Sequence, residues 1–284
     1  MPLYDPSDLV SLTTLAGSVA KDVGERIRSM RAKGVEVANT KSSLVDVVTA
    51  ADREAERLVA DALHAARPHD GLLGEEGLSA PSKTGITWVV DPIDGTVNYF
   101  YDLPSYAVSI AATVADGGPG TMADGRRAVA GAVYVPVVDE LFTSCEGGGS
   151  RLNGHELRVS HTRDLSVALV ATGFGYTVER RTEQAEVVRQ LIPRVRDIRR
   201  MGAAAVDLCN LAAGRLDVYY ERGLQPWDYA AGALIAREAG AAILSLAEDE
   251  LPGEPMLIAG SPSLASGLRA EIQRAYASLP EAGR

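Results

Sequence analysis

The sequence has few of the residues that build disulfides or histidine-rich metal sites. Its 284 residues include two cysteines, Cys145 and Cys209, with no CxxC or Cys/His spacing. Two isolated thiols are typical of reduced, structural cysteines in a cytoplasmic protein. The four histidines are scattered and form no HExxH pattern. A zinc site built from histidines is therefore not expected.

Positive charge and long hydrophobic runs are also scarce. The formal net charge of −10 argues against nucleic acid or an anionic membrane as the main partner. The longest uncharged runs, at 103–115 and 165–178, are too short to cross a bilayer. The start of the chain, MPLYDPSDLV, lacks the pattern of a signal peptide. We therefore expect a cytoplasmic globular protein without a membrane partner.

Hydrophobic spacing in the first half of the chain predicts two helices followed by a sheet. Residues 7–32 and 50–66 have apolar positions at helical spacing, and Thr49 with Asp52 marks the start of the second helix. The segments ITWVV, SYAVSIAATVA and AVAGAVYVPVVDELFTSC indicate strands. Gly-Gly and Asn-Gly within EGGGSRLNGHELRVS predict a β-hairpin.

After about residue 160, strand and helix patterns alternate. LSVALVATGF, RLDVYYE and AAILSLAE indicate strands, whereas RTEQAEVVRQLIPRV, AAAVDLCNLAAG and WDYAAGALIAREAG indicate helices. Such alternation predicts a layered α/β arrangement. No flexible linker interrupts the chain, so we expect one domain over 1–284, with an N-terminal α+β half (about 1–158) and a C-terminal α/β half (about 159–284).

The segment WVVDPIDGTVNY (88–99) carries the first candidate site residues. The residue before a proline avoids the helical region, so the strand should end at Asp91. Asp94 and Gly95 form a sharp turn where the backbone can approach a ligand, and a helix starting near Thr96 would offer N–H groups to phosphate. Two aspartates beside an anion repel unless a dication lies between them, and Mg²⁺ prefers oxygen ligands. Taken alone, the segment also fits a turn of solvated acids.

Three further acids have both a functional and a structural interpretation. Glu75 lies in the glycine-bounded turn GEEG, which also suits a solvated surface acid. Asp228 stands at the head of a helix, where it could cap the helix or hold a metal ion. Asp52 is an acid in the first turn of a predicted helix.

The three motifs GEEG, DPIDGTVNY and WDYAAGALIAREAG, in this order and at these separations, resemble the inositol monophosphatase family. The resemblance extends over about 41–240. It implies an α+β fold, a layered α/β/α/β/α sandwich of the inositol monophosphatase and fructose-1,6-bisphosphatase type. It also implies a Mg²⁺-dependent, lithium-sensitive phosphatase that forms a homodimer.

The resemblance also implies which residues hold the metal ions. Glu75, Asp91 and the carbonyl of Ile93 would hold the first magnesium ion. Asp91, Asp94 and Asp228 would hold the second. With a third, weaker ion contacted through waters by Glu75, the implied cofactor is two to three Mg²⁺ per site.

The implied catalytic residues are Glu75, Asp52 and Thr96. Asp52 and Thr96 would hold the attacking water and take its proton, and the amides of Gly95 and Thr96 would bind the phosphate. By a looser match, Lys41 would lie near the metal site.

The implied substrate-binding residues are Asp94, Ala204, Glu221 and Asp228. Ala204 belongs to a wall of small residues that leaves room for a ring. Glu221 would accept hydrogen bonds from inositol hydroxyl groups, although a surface acid at a strand end fits its position equally. The segment 174–175 departs from the serine-containing loop of the animal enzymes, so the rim of the pocket is expected to differ.

A basic segment, PRVRDIRRMG, contains Arg194, Arg196, Arg199 and Arg200. It is interpreted as a solvated or interface patch. The alternative is a role in attracting phosphate, with Arg199 as the candidate, or a contact with RNA or a protein.

The resemblance implies hydrolysis of a small phosphorylated polyol. The expected substrate is myo-inositol 1-phosphate, cleaved by metal-activated water without a covalent intermediate. Histidinol phosphate, fructose 1,6-bisphosphate and 3′-phosphoadenosine 5′-phosphate are alternative substrates. A non-catalytic regulatory binding protein on the same fold is the alternative from another class.

Overall fold

The computed structural model describes residues 5–34, 37–40 and 47–279. Seven α-helices form in this part of the chain: α1 (Pro6–Arg31), α2 (Ala50–Ala66), α3 (Thr96–Tyr101), α4 (Val178–Leu191), α5 (Ala204–Ala212), α6 (Pro226–Glu238) and α7 (Pro262–Ala277). Short 3-10 turns occupy Leu165–Val167 and Ile192–Arg194. Helices α1, α2, α4, α5 and α6 therefore lie close to where the sequence patterns predicted them, whereas α7 was not predicted.

Fifteen strands accompany these helices in the described ranges. Those of the first half are β1 (Val37–Thr40), β2 (Val47–Thr49), β3 (Gly71–Gly74), β4 (Ser79–Ala80), β5 (Thr87–Asp94), β6 (Ala107–Val114), β7 (Arg127–Val135), β8 (Glu140–Cys145), β9 (Gly149–Leu152) and β10 (His155–Glu156). Those of the second half are β11 (Leu169–Thr172), β12 (Asp197–Arg199), β13 (Val218–Arg222), β14 (Ala242–Leu244) and β15 (Met256–Gly260).

The strands form two large sheets and one two-stranded pair, β1–β2. The larger sheet has the order β10-β9-β8-β7-β6-β5-β3-β4, and its neighbours are antiparallel except for the parallel pair β3–β5. The smaller sheet has the order β12-β11-β13-β15-β14. In it, β12, β11 and β13 run parallel to one another, and β15 is antiparallel to both of its neighbours. The turn after β9 forms the predicted hairpin, and the turn after β8 forms a second one.

The helices and sheets stack in five layers. Helices α1 and α2 cover one face of the larger sheet, α5 and α6 lie between the sheets, and α4 and α7 cover the outer face of the smaller sheet. Strands β5, β6 and β7 are buried along their whole length because helices cover both faces. The predicted α/β/α/β/α sandwich is confirmed. That the chain forms one domain, with two halves that meet near residue 158, stays a prediction.

The middle layer explains the alanine- and glycine-rich segments of the second half. Helices α5 and α6 pack against apolar neighbours, and eight of the nine residues of α5 and the eight residues 229–236 of α6 are buried. At Gly232, an added Cβ would lie 2.8 Å from the Cβ of Leu208. Small residues let the two helices approach each other closely and bring their N-termini to the same end of the sheets.

One sequence prediction about this region was wrong. The strand expected to end at Asp91 continues to Asp94, because β6 still pairs with both residues.

Among the residues that the structure describes, no helix is long and apolar enough to cross a membrane.

Candidate active site

A cavity of about 500 Å³ lies where β5, α3, β13 and the N-termini of α5 and α6 meet. Nine of the residues singled out from the sequence line it: Glu75, Asp91, Ile93, Asp94, Gly95, Thr96, Ala204, Glu221 and Asp228. Asp52 lies behind this lining and reaches it through a hydrogen bond with Thr96. The fold thus gathers acids that are up to about 180 residues apart in the chain.

A β-bulge turns two of these acids toward the same cavity. Asp91 pairs with Ser109 and Asp94 pairs with Ala107, so the β5 side has one residue more than the β6 side. In a regular strand, residues three apart point to opposite faces, and the extra residue cancels this alternation. Asp91 and Asp94 are 2% and 6% exposed. Burying two carboxylates side by side is costly without a compensating charge.

Gly95 turns the chain from β5 into α3. Its φ of +86° is in the left-handed region, and an added Cβ would lie 2.8 Å from the backbone oxygen of Ser105 and 3.1 Å from the Cβ of Ala203. Glycine is therefore required by both backbone conformation and space. The turn places Thr96 at the start of α3, facing the cavity.

The hydroxyl of Thr96 links the turn to α2. Its Oγ1 lies 3.0 Å from Oδ1 of Asp52 and 3.0 Å from the carbonyl oxygen of Ile93. A hydroxyl has one hydrogen, so it donates to one of these acceptors at a time. Asp52 is 1% exposed in the first turn of α2. Donation to Asp52 leaves the lone pairs of Thr96 available to accept a hydrogen bond from water.

Asp94 also receives the N-terminus of α5. Its Oδ1 accepts the N–H of Ala204 at 3.0 Å, and its Oδ2 accepts those of Ala205 and Val206 at 2.9 and 3.3 Å. These donors are the unpaired N–H groups of a helix start, which favour a negative charge. Ala204 thus contributes its backbone as well as a small side chain.

A buried glutamate, Glu56, holds the turn that carries Glu75. The carboxylate of Glu56 accepts the N–H groups of Glu76 at 2.8 Å and Leu78 at 3.2 Å. The turn comes so close that a Cβ on Gly74 would lie 2.0 Å from Oε1 of Glu56. Sequence reasoning missed Glu56, since an acid at one helical position gives no sign that it binds a turn twenty residues later.

Asp228 lies in the first turn of α6, as its sequence pattern predicted. Its Oδ2 accepts the N–H of Gln225 at 2.7 Å, which closes the start of the helix. Asp228 also lines the cavity, so its capping and site positions coexist.

The electrostatics of the cavity disfavour negative charge in the absence of a cation. Burial raises the pKa of Asp91 well above its usual value, and repulsion from Glu75, Asp94 and Asp228 adds to the shift. Burial also raises the pKa of Asp228 well above its usual value. It raises the pKa of Asp94 to about 7, even though the amides of α5 act in the opposite direction. A bound dication would reverse this balance.

The donor set fits a hard dication such as Mg²⁺. Four carboxylates and the carbonyl of Ile93 line one cavity, and oxygen ligands are those that Mg²⁺ prefers. Within the described ranges, no three His, Cys, Asp or Glu side chains are oriented to hold one ion together. Asp91, Asp94 and Asp228 instead accept protein N–H groups. Each carboxylate oxygen has a second lone pair, so these bonds are compatible with metal ligation.

Glu221 occupies another part of the cavity wall at the end of β13. Its Oε2 accepts the hydroxyl of Tyr219 at 2.7 Å, and a Cβ on Gly173 would lie 2.0 Å from the same oxygen. Burial raises the pKa of Glu221 to about 7, although Tyr219 and then Arg200 act to lower it. Glu221 is therefore a partly buried acceptor in the wall of the cavity and not an exposed surface acid.

Besides Asp52, which lies behind the lining, the predicted residue Arg199 does not line the cavity. Arg199 is half-exposed, and its Nη1 pairs with Oδ2 of Asp197 at 2.6 Å. Lys41 lies outside the described residues. Of the rest of the basic segment, Arg194 pairs with Glu271 and Arg196 donates to the carbonyl of Val167, whereas Arg200 lines the cavity.

Several cavity residues escaped the sequence analysis. Arg180, Tyr176 and Arg222 line the cavity, and Asp207 is buried close behind it. Asp207 Oδ1 has no hydrogen-bond partner in the described part of the chain. Burial raises its pKa well above the usual value, and Glu221 and Asp94 add to the shift. No spacing rule connects these positions, because β11, α4, α5 and β13 meet only in the folded chain.

Three comparisons place the chain among known proteins. The model of the "Inositol monophosphatase family" matches residues 8–278. Inositol-1-monophosphatase SuhB from Mycobacterium tuberculosis is 42% identical over 281 residues, covering 93% of this chain and 93% of that protein. Nus factor SuhB from Escherichia coli is 38% identical over 233 residues, covering 80% and 83%. The crystal structure of extragenic suppressor protein suhB from Bartonella henselae has a TM-score of 0.83 at 32% identity, covering 93% of this chain and 99% of that chain.

Proposed function

Because this chain belongs to the inositol monophosphatase family and is thus a phosphoric monoester hydrolase, we propose that it hydrolyses myo-inositol 1-phosphate in a Mg²⁺-dependent reaction. The observation that carries the proposal is the convergence of Glu75, Asp91, Asp94 and Asp228 on one cavity beside the Thr96–Asp52 hydrogen bond. Relatives 42% identical to the chain are named inositol-1-monophosphatases, which supports the substrate.

In this proposal, the carboxylates hold two to three Mg²⁺. Glu75, Asp91 and the carbonyl of Ile93 would bind the first ion. Asp91, Asp94 and Asp228 would bind the second, and Glu75 would reach a third through waters. When bound, Mg²⁺ neutralises the carboxylates and the phosphoryl oxygens and makes a nearby water more acidic. Four carboxylates with a phosphate monoester of about −2 carry about six negative charges, which three Mg²⁺ would balance.

Asp52 and Thr96 would move the proton of the attacking water. Thr96 donates its hydroxyl hydrogen to Asp52 and accepts a hydrogen bond from the water. As the water oxygen attacks phosphorus, its proton passes to Thr96 while the Thr96 proton passes to Asp52. The phosphorus–oxygen bond to the alcohol breaks, and the alkoxide takes a proton from a solvent water to leave as inositol; the proton held by Asp52 then neutralises the hydroxide that this water becomes. The N–H groups of Gly95 and Thr96 would bind the phosphate. Water is the nucleophile throughout, so no covalent intermediate forms.

The far end of the cavity would hold the polyol. The small side chain of Ala204 leaves room for a ring, and Glu221 would accept hydrogen bonds from its hydroxyl groups. Asp94 and Asp228 would bind hydroxyls nearer the reacting phosphate. Glu221 already accepts the hydroxyl of Tyr219, which orients its carboxylate for this contact.

A phosphate-release panel tests the proposal. Purified protein is assayed with inositol 1-phosphate, histidinol phosphate, fructose 1,6-bisphosphate and 3′-phosphoadenosine 5′-phosphate, each with Mg²⁺ and with a chelator. We expect release from inositol 1-phosphate only with Mg²⁺, and inhibition by Li⁺. Faster release from histidinol phosphate would replace the substrate. Absence of release from every compound would favour a regulatory binding protein on the same fold.

We also propose that the protein is a homodimer, as the family resemblance implies. Light scattering coupled to size-exclusion chromatography should give twice the 29.9 kDa mass of one chain. A mass of one chain at micromolar concentration would reject this assembly.

A further inference from the structure

A second cavity, of about 310 Å³, lies along α6 and shares no residue with the candidate active site. Its walls come from α6, from the connection 115–126 between β6 and β7, and from the start of β14. A cavity of this size accommodates a small organic molecule. Because α6 carries Asp228 in its first turn, an occupant would contact the helix that starts at the active site.

One stripe of α6 forms a wall of this cavity. The lining positions 230, 233, 234 and 237 follow helical spacing, so their side chains lie on one face of the helix. Ala230, Ala233 and Leu234 are buried, and the short side chains of the two alanines leave space beside the helix. The remaining walls are also largely apolar, and they include Met122, Ala128, Ile243 and Pro252. The charged exception on the stripe is Arg237.

Arg237 brings a cation to this apolar stripe, and its protein partners are weak. The Oε1 atom of Glu238 lies 3.9 Å from its Nε, and no other carboxylate lies within 4.0 Å among the residues that the structure describes. The other carboxylate oxygen of Glu238 accepts the N–H groups of Gly147 at 3.0 Å and Gly149 at 3.4 Å. Nη2 of Arg237 reaches the carbonyl oxygen of Ala128 at only 3.4 Å. The side chain is 27% exposed, so it has lost much of its contact with water without a strong partner in return.

Arg127, next to Ala128 in the chain, shows how the same region holds an arginine that is fully paired. Its Nε lies 2.7 Å from Oδ1 of Asp116, and its Nη1 lies 2.6 Å from Oε1 of Glu146. These two acids are therefore committed to Arg127, whose side chain is 4% exposed. Arg237 has no comparable partner, so it keeps donors for a ligand.

The connection 115–126 holds Arg237 in place and adds a second arginine. It passes so close that a Cβ on Gly120 would collide with Nη1 of Arg237, and a side chain packed in this way binds a ligand at a lower entropy cost. Arg126 also lines the cavity, and in the described ranges no carboxylate lies within 4.0 Å of its guanidinium. The one acid of the lining is Asp124, whose Oδ1 accepts the backbone N–H of Arg126 at 3.2 Å. Two arginines against one aspartate give the lining a net charge of +1.

We propose that this cavity binds a small organic monocarboxylate, with its carboxylate on Arg237 and Arg126 and its apolar part on the stripe of α6. A guanidinium binds a carboxylate through two parallel hydrogen bonds. One negative charge matches the net charge of the lining, and an apolar body matches Ala233 and Leu234. The site does not depend on the proposed phosphate hydrolysis, because the two cavities share no residue.

Titration of the full chain with three matched probes tests the proposal. Benzoate carries a ring and a carboxylate, acetate carries the carboxylate without the ring, and benzylammonium carries the ring with the opposite charge. Dissociation constants are measured by NMR titration with a chelator present, so that no metal ion in the active site can bind the probes. The variants are Arg237→Gln, which removes the charge, and Ala233→Leu, which fills the apolar part of the cavity. Arg194→Gln is the matched control, because it removes the same charge from an arginine that pairs with Glu271 outside the cavity.

We expect the wild type to bind benzoate with a Kd of about 1 mM or lower, and to bind acetate and benzylammonium about tenfold more weakly. Arg237→Gln should raise the Kd of benzoate about tenfold, as for the loss of a charge-assisted hydrogen bond. Ala233→Leu should raise it at least as much, because the ring loses its space. Arg194→Gln should leave it unchanged.

Three results would overturn the site. The first is the absence of benzoate binding at about 10 mM. The second is a Kd for benzoate that Arg237→Gln does not change, and the third is binding of benzylammonium as tight as that of benzoate. Thermal unfolding checks that each variant is folded. If Arg237→Gln does not fold, Ala233→Leu decides, because a Kd for benzoate equal to that of the wild type rejects the cavity.

Discussion

Replacement of Asp94 with asparagine separates the metal chemistry of the site from its packing. Asp94 accepts the N–H groups of Ala204, Ala205 and Val206. Asparagine offers one oxygen, so its amide nitrogen must face at least one of these donors. A buried backbone N–H left without an acceptor costs about 1–3 kcal/mol.

An opposing contribution comes from the charge that asparagine removes. Burial raises the pKa of Asp94 from 3.8 to about 7. This shift of about 3 units means that ionised Asp94 costs about 4 kcal/mol in the metal-free protein at about pH 8. The relief exceeds the loss by about 1–3 kcal/mol. We therefore expect Asp94→Asn to raise the unfolding free energy of the metal-free protein by about 1–3 kcal/mol.

The metal-dependent properties should respond quite differently. Mg²⁺ should stabilise the wild type by binding the folded state, and Asp94→Asn should lose most of this stabilisation together with turnover. Urea unfolding at about pH 8 with a chelator, thermal unfolding with Mg²⁺ and phosphate release measure the three effects. Asp61→Asn is the control, because it removes an exposed carboxylate that pairs with Arg57.

Two results would refute this reasoning. A loss of about 1–3 kcal/mol in the metal-free protein would show that the buried charge of Asp94 is not costly. Unchanged Mg²⁺-dependent turnover would remove Asp94 from the metal site.

Three further substitutions test the elements that hold the site. The pKa of Glu221 is raised from 4.5 to about 7 in the folded protein. Its protonated form therefore contributes stability that is fully present below pH 4.5 and is lost as the pH rises through about 7. Glu221→Gln should remove this contribution, so that the unfolding free energy of the metal-free protein, measured in urea, varies with pH by about 3 kcal/mol less than in the wild type. Gly95→Ala should cost about 2–4 kcal/mol of unfolding free energy, because the left-handed backbone costs about 1–2 kcal/mol and the Cβ meets Ser105. Glu56→Gln should cost about 1–2 kcal/mol and lower turnover, because one N–H of the turn that carries Glu75 loses its acceptor.

Each of these substitutions has a control or a contrary outcome. Gly125→Ala is the control for Gly95→Ala. Gly125 also has a positive φ of +78°, but no atom lies within 4 Å of an added Cβ, so this substitution measures the backbone cost alone. Equal losses at Gly125 and Gly95 would show that crowding by Ser105 is unimportant. If the unfolding free energy of Glu221→Gln depends on pH as that of the wild type does, the pH dependence arises from other groups. Full activity in Glu56→Gln would mean that the turn holds its position without Glu56.

The helices were predictable because their periodicity reports burial on one side. The first predicted helix, over 7–32, corresponds to Pro6–Arg31, and its buried positions recur at helical spacing. The end of β5 was not predictable in the same way. Proline signals a break in the local backbone, but the pairing of Asp94 with Ala107 depends on a strand that follows more than ten residues later.

Within the candidate site, the sequence by itself determined the residue types and their order. GEEG, DPIDGT and WD carry chemistry that can be read locally, because glycine, proline and paired acids restrict the backbone and the ligands over a few residues. The same motifs were sufficient for the family, the layered fold and the expectation of a dication.

Only the tertiary structure decided which way these side chains face and what accompanies them. Asp94 meets the start of α5, 110 residues away in the chain, and Glu56 holds a turn twenty residues away. Arg200 enters the cavity while its neighbour Arg199 turns to Asp197. Such contacts join elements from different layers, and the interactions that bring those layers together are not encoded in any short stretch of sequence.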